Sequence, residues 1–473
     1  MLHHNIHKLR PWQIEREKQV TKKGKVHDST EESTNFTVIG TNTDHTKWWK
    51  SATWGSKLKE LSSMKSEQCK IVGPLRMCTD KEFCLRTDKR EGINTYLGIM
   101  DGKGAVAVKQ FDRTNADSVR KCKQELSILA IQGNREHIIR HYHYAREKMY
   151  RYLALELPEH TLQEYVQLLK EQNELHSKAR LIIHQIVEGL QSLHEGPRPI
   201  LHRDLCPANV VLNAKLCVKL TGFGNSNILQ KEVPIQDYNE GTPCWKAKES
   251  LCYSTCSKES DIQATGMLVY FVLSGGLHPY GELDQPHIVE ENIKMGQPTG
   301  LPLIDDQEAR DMIEWMLEDN SAYRPDVNQI LNHPFLEQWN NGKRMEFLER
   351  VGNQPEVASG KDNSSTLWAI NNKCNKTCTC VGDWKNKVDE KLLTESTRPY
   401  NQSVGDLLRL IRNVRQHYQE LSEELQELVD DKYFLRLFPS LVVHIYKILR
   451  KRALADGSWA KRKSLQRYFI PKS

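Results

Sequence analysis

The sequence predicts an α+β chain: strands followed by helices, then a small all-α unit. Three stretches carry this. Tyr96-Leu97-Gly98 and Gly104-AVAVKQF read as two strands, with Asp101-Gly102 as the turn between them. Leu162 to His194 is apolar at helical spacing. Ser403 to Tyr418, SVGDLLRLIRNVRQHY, places Val404, Leu407, Leu408, Ile411, Val414 and Tyr418 on one half of a helical wheel, with Ser403 as the N-cap.

That last helix organises the third part of the chain. If its apolar half is buried, Asp406, Asn413 and His417 form a row on the opposite side, flanked by Arg409 and Arg412. Acid, amide, guanidinium and imidazole together are the groups needed to hold a phosphodiester and move protons on it. The alternative is the solvated face of an ordinary amphipathic helix.

The 473 residues allow about three domains, and 38% hydrophobic with 27% charged content suits a water-exposed chain carrying some unstructured segments. No apolar run approaches the roughly 20 residues that span a bilayer. The start, MLHHNIHKLRPWQ, lacks an apolar signal core. A cytoplasmic protein with possible nuclear access is expected, with its twelve cysteines mostly reduced. The net charge of +6 is uneven: Trp339 to Ser473 holds 24 Lys+Arg and 16 Asp+Glu, so +8, leaving −2 for the rest. That bias suits a polyanion such as RNA, although lysine-rich surface alone would produce it too.

Residues 1–70 are polar, interrupted by Trp48, Trp49 and Trp54, and are expected to be mostly disordered except for a short helix near Lys57–Lys65. After the first strand pair comes a helix carrying Glu125, then strands near Ile138–Tyr144 and Tyr152–Leu157. Past His333-Pro334 a helix is expected over Trp339–Val351, and a polar, mobile loop over Val357–Lys376. Cys374, Cys378 and Cys380 cluster without a fourth ligand at zinc spacing. Short helical patterns follow at Leu421–Val429 and Tyr433–Arg452. The basic end, KRKSLQRYFIPKS, reads as a solvated tail over 456–473.

Leu201-HRDLCPANVVL resembles the catalytic loop of protein kinases: His202, Arg203, Asp204 and Asn209 stand at the right spacing. Lys109 matches the third-strand lysine and Glu125 its helix partner. Asp261 and Arg324 match late structural positions, and Glu249, in Ala247-Lys248-Glu249, is expected to pair with Arg324. The resemblance implies a two-lobed protein-kinase-like fold over 71–337. Its departures imply a pseudokinase. The phosphate-covering glycine positions hold Thr87, Lys89 and Gly92; Cys206 replaces the usual lysine; and the D-F-G triplet is Gly222-Phe223-Gly224, preceded by Thr221. Glycine has no carboxylate for the metal that bridges the phosphates. Protein kinase activity is therefore not expected. Lys109, Glu125, Asp204 and Asn209 remain as candidates for holding ATP or ADP as an allosteric ligand, or as structural polar contacts.

Val404-GDLLRLIRNVRQHY, joined to Phe438-PSLVVHIY, is similar to the kinase-extension nuclease (KEN) family, that of the oligoadenylate-dependent ribonuclease and of the inositol-requiring stress sensor. The resemblance implies a KEN domain over 338–455 and a metal-independent endoribonuclease acting on single-stranded or loop RNA. Attack by the ribose 2′-hydroxyl would leave a 2′,3′-cyclic phosphate. It assigns His417 as general acid, Tyr400 to the attacking hydroxyl, and Arg412 and Asn413 to the phosphate. Trp384 is expected either to stack a base or to pack in the core, and Asp406 either to face a dimer interface or to orient Arg409. The family works as a homodimer promoted by the kinase-like domain. Neither ankyrin repeats nor a membrane span is recognisable, so the activating input is not named by the sequence. The competing reading is a non-catalytic pseudokinase scaffold; an active Ser/Thr kinase is the third.

Overall fold

The structure is a computed structural model that describes residues 51–88, 91–229, 235–236, 241–337, 339–359, 365–374, 381–394, 399–430, 432–455, 459 and 462–469. Helix α1 (Gly55–Ser63) precedes an antiparallel sheet of β1 (Lys70–Val72), β2 (Leu75–Met77), β3 (Cys84–Asp88), β4 (Ile93–Met100), β5 (Gly104–Asp112), β6 (His141–Arg146) and β7 (Tyr150–Glu156). The strand order is β1-β2-β4-β5-β7-β6, with β3 also on β4. Helix α2 (Ala116–Gln132) enters after β5. Asn115 caps it, its side chain accepting from the backbone N–H groups of Asp117 and Ser118. Its inner face buries Cys122, Glu125, Ile128 and Leu129.

The lower lobe is helical. The expected long helix after Leu162 is two, Leu162–Glu171 and α3 (Leu175–His194), separated where Asn173 takes φ +56°. Helix α4 (Lys258–Leu273) is the centre of this lobe: Ser260 to Val272 are all buried. Helix α5 (Gln307–Met316) closes its base.

The third part has its own core, with Trp339, Phe347, Trp384, Leu407, Ile411, Phe438 and Tyr446 among its members. Helices α6 (Asn341–Gly352) and α7 (Val404–Gln416) cross closely there. Gly352 permits the crossing, since a Cβ on it would lie 2.5 Å from the Leu408 carbonyl oxygen. The helical pattern expected over Tyr433–Arg452 breaks at Phe438-Pro439-Ser440, because proline cannot continue a helix interior. It resumes as α8 (Leu441–Ala455).

A buried ionic joint links α5 to α8. Arg450 clasps Asp311 through Nη1–Oδ2 at 2.6 Å and Nη2–Oδ1 at 3.1 Å. His333 Nε2 lies 3.2 Å from Asp311, Lys447 Nζ lies 3.4 Å away, and the Arg450 guanidinium stacks 4.1 Å over Trp315. Burial pushes the Asp311 carboxyl up, but Arg450 and His333 more than offset this and hold it well below the ordinary carboxylate range. The expected Glu249–Arg324 pair is present, at 2.7 and 3.0 Å.

Three expectations are corrected. The short helix expected near Lys57–Lys65 is present as α1, burying Leu58 and Leu61, but the residues before it are not disordered: Trp54 Nε1 donates to the Pro158 carbonyl at 2.9 Å, and Ser51 donates to Glu159. Apolar side chains in a polar context gave too weak a signal. Residues 1–50, with Trp48 and Trp49, lie outside the described residues. The loop expected over 357–376 contains helical residues 365–374, which bury Leu367, Ile370 and Cys374. Cys378 and Cys380 lie outside the described residues. The tail is not simply solvated, because Trp459, Leu465, Tyr468 and Phe469 enter the third-part core. Their spacing is irregular, so no period announces them. No described helix is long and apolar enough to cross a membrane.

Candidate functional site

Two sites follow from this architecture. The first lies at the C-terminal end of α7. Burial along α7 is more complete than its wheel predicts: every residue from Val404 to Ile411 is buried, because α6 covers one side and residues 365–374 the other. Gly405 approaches so closely that its N–H donates to Asn371 Oδ1 at 2.8 Å. Ser403 caps the helix as expected, accepting from Asp406 N–H at 3.1 Å.

Asp406 and Arg409 are therefore not solvent-facing; they are 7% and 3% exposed. Asp406 accepts from Asn401 N–H at 2.6 Å and pairs with Arg409 at 3.0 Å. Arg409 donates to the Pro399 carbonyl at 2.8 Å and lies 4.6 Å over the Tyr400 ring. Of the two roles open to Asp406, the buried contacts match orientation of Arg409, and together the pair fixes the loop that presents Tyr400. Trp384 is fully buried, donates to the Ser403 carbonyl at 3.1 Å and meets Tyr400 edge-on at 6.3 Å. Packing accounts for it; no face is left for a base.

Toward the end of the helix Arg412 and Asn413 are partly exposed and His417 is exposed, while Tyr400, on the segment before the helix, is buried against them. Asn413 joins two of them: its Nδ2 donates to the Tyr400 hydroxyl at 2.9 Å, and its Oδ1 accepts from Arg412 Nε at 3.0 Å and from Nη2. His417 is the C-cap, its N–H bonded to the Asn413 carbonyl at 2.9 Å. It thus stands one turn, about 5–6 Å, beyond Asn413 on the same face. Its side chain is 58% exposed, and Nδ1 donates to Glu420 Oε1 at 3.0 Å, leaving Nε2 for an incoming group. Glu420 was missed from the sequence. An acid three residues from a histidine is a visible helical signal, but charged neighbours in this stretch are too frequent to single it out.

The second site is the cleft between the lobes, a cavity of about 390 Å³ lined by Arg86, Lys109, Lys121, Glu125, Asp204, Asn209 and Gly222 among others. Lys109 Nζ meets Glu125 Oε2 at 2.6 Å, joining β5 to α2. Asp204 Oδ1 accepts from Thr242 N–H at 2.9 Å and Oγ1 at 2.7 Å. Asn209 donates from Nδ2 to the Asp204 carbonyl at 2.8 Å and accepts at Oδ1 from Arg86 Nη1, also at 2.8 Å. Gly222 has φ +84°, and a Cβ there would lie 2.7 Å from Asn209 Cγ and Oδ1. Cys206 is buried, and burial pushes its thiol up to about 11, so it offers no charge in place of the usual lysine. Of the glycine-loop positions, Thr87 pairs with Asn94 in the β3–β4 ladder, Gly92 turns with φ +63°, and Lys89 lies outside the described residues.

These residues do not suit the divalent metal of a kinase. A carboxylate is missing at 222, and Asn209 Oδ1 is already engaged by a cation from the protein itself.

The protein kinase domain family model matches residues 94–336, just over half of the chain, and the ribonuclease 2-5A family model matches residues 344–463. The chain belongs to the protein kinase domain family and carries a ribonuclease 2-5A domain. It is 31% identical over 379 residues to the serine/threonine-protein kinase/endoribonuclease ire-1 of Caenorhabditis elegans, covering 76% of this chain and 38% of the relative. It is 28% identical to the 2-5A-dependent ribonuclease of Mus musculus, covering 85% and 50%. It is 29% identical to the serine/threonine-protein kinase/endoribonuclease IRE2 of Homo sapiens, covering 83% and 43%. The chain thus spans half or less of the length of these relatives. The match at 344–463 takes in Trp459, which packs in the third-part core.

Proposed function

We propose that this protein is an endoribonuclease whose reaction is carried by Tyr400, Arg412, Asn413 and His417. The observation that supports it is the Asn413 bridge. One amide holds a phenol and a guanidinium together, one turn before an exposed imidazole whose Nε2 is open. A helix needing only a solvated face has no reason to bury Asp406 and Arg409 to fix Tyr400 at its side.

In this reading the ribose 2′-hydroxyl attacks the adjacent phosphorus. The Tyr400 oxygen, held by Asn413, takes a hydrogen bond from that hydroxyl, whose proton passes to solvent. Arg412 neutralises the non-bridging oxygens as charge builds on them. His417 Nε2 gives a proton to the departing 5′-oxygen. The products are a 2′,3′-cyclic phosphate and a 5′-hydroxyl. No step calls on a metal, since Arg412 supplies the positive charge. Asp406, the nearest carboxylate on the helix, is committed to Arg409 and Asn401.

The kinase-like part serves this activity as a regulatory body. Pairing of two copies through it, with ATP or ADP in the cleft, follows from the family resemblance, and single-stranded or loop RNA is the substrate class proposed.

Tyr400→Phe removes one oxygen and keeps the ring contacts with Trp384 and Arg409. Cleavage of a labelled RNA is expected to fall tenfold or more with the thermal midpoint unchanged. Wild-type cleavage by this variant would remove Tyr400 from the chemistry.

A further inference from the structure

The cleft is walled by three cations, and they are not equivalent. Lys109 is neutralised by Glu125 and Lys121 by Glu91. Arg86 has no carboxylate partner among the described residues. It stands on β3, in the upper lobe, and reaches the lower lobe: Nη1 donates to Asn209 Oδ1 at 2.8 Å and to the Ala208 carbonyl at 3.2 Å. Its Nε and Nη2 have no hydrogen-bond partner among the described residues, and the side chain lines the cavity. Opposite it, Gly222 leaves the room that the Asn209 amide fills; an aspartate there would collide with that amide. The loss of the metal-binding carboxylate and the arrival of Arg86 on Asn209 are therefore two sides of one arrangement. A fixed monovalent cation stands beside the asparagine that would otherwise hold a divalent one.

We propose that this cleft binds a nucleoside diphosphate or triphosphate without a divalent cation, the Arg86 guanidinium bridging the phosphate chain to the lower lobe in place of the metal. The planar fork suits this bridging, since two of its N–H donors hold the protein and the remainder are left for phosphate oxygens. Because Arg86 belongs to the upper lobe and Asn209 to the lower, a phosphate chain on Arg86 ties the two lobes together without the help of Gly222. This rests on the reading that the cleft takes a nucleotide and is independent of the nuclease chemistry.

The test is calorimetric titration of the full chain with ADP, in EDTA and in Mg²⁺, beside Arg86→Ala, Arg86→Lys and an adenosine control. ADP is expected to bind in EDTA within about threefold of its affinity in Mg²⁺. Arg86→Ala is expected to weaken ADP at least tenfold while leaving adenosine unchanged, with Arg86→Lys between the two. The adenosine arm separates loss of a phosphate contact from damage to the fold, because a misshapen cleft would lose both ligands. ADP binding that requires Mg²⁺, that survives intact in Arg86→Ala, or that is absent in both conditions overturns the proposal. RNA cleavage without nucleotide, followed in the same samples, reports on the nuclease separately.

Discussion

His417→Ala is expected to lower RNA cleavage by at least about a hundredfold, the range over which a positioned acid usually contributes. Its thermal midpoint should stay that of the wild type. The separation of effects follows from the geometry. The imidazole is more than half exposed, and its one polar side-chain contact is to an exposed glutamate, so removing it leaves no cavity and strands no buried group. Steady-state cleavage of a labelled stem-loop and a melting curve on the same preparation check both halves. If cleavage persists at the wild-type rate, the proton reaches the leaving oxygen from elsewhere and the assignment of His417 is wrong. Glu420 can be read in the same assay: losing it should change how His417 is oriented without removing it, so the expected effect is smaller.

The second large effect is expected at the α5–α8 joint. Arg450→Met leaves Asp311 buried with only His333 and Lys447 for company, in place of a two-point clasp. Breaking a buried ion pair from one side costs about 3–5 kcal/mol. The thermal midpoint should drop by several degrees, and the third part should become more open to protease at the α5–α8 joint. The pH dependence has a definite sign. The Asp311 carboxyl is held below its ordinary value, so the joint is at full strength above the unfolded-state pKa of about 4 and is lost as pH falls below it. Wild type should lose stability on acidification through that range more steeply than Arg450→Met. Equal midpoints for the two at neutral pH would show that packing of Tyr446 and Trp339, not the ions, holds the joint.

What was legible in the sequence was what depends on local period and short spacing. The β4–β5 hairpin, the Lys109–Glu125 pair and the amphipathic α7 with its Ser403 cap all follow from patterns within about sixteen residues. Arg412, Asn413 and His417 were legible for the same reason, and Tyr400 through the resemblance. What escaped was set by contacts between distant segments. Arg86 touches Asn209 across 123 residues, and nothing local to either marks the meeting. Asp406 and Arg409 look solvent-facing on a wheel because the wheel cannot see the Pro399–Asn401 segment that binds them. Trp384 left two roles open until its indole N–H was found on the Ser403 carbonyl. The aromatic residues near the C-terminus carry no helical period, so their burial against Trp339 and Phe347 was invisible beside the basic side chains around them.

The measurement that tests the central claim most directly is cleavage of an end-labelled stem-loop RNA by the full chain in EDTA, across protein concentration, with the product ends identified. A dimer-dependent KEN ribonuclease predicts 2′,3′-cyclic phosphate ends and a rate per protein that climbs with concentration. RNA left intact at every concentration by folded, paired protein would contradict it and leave the chain a signalling scaffold.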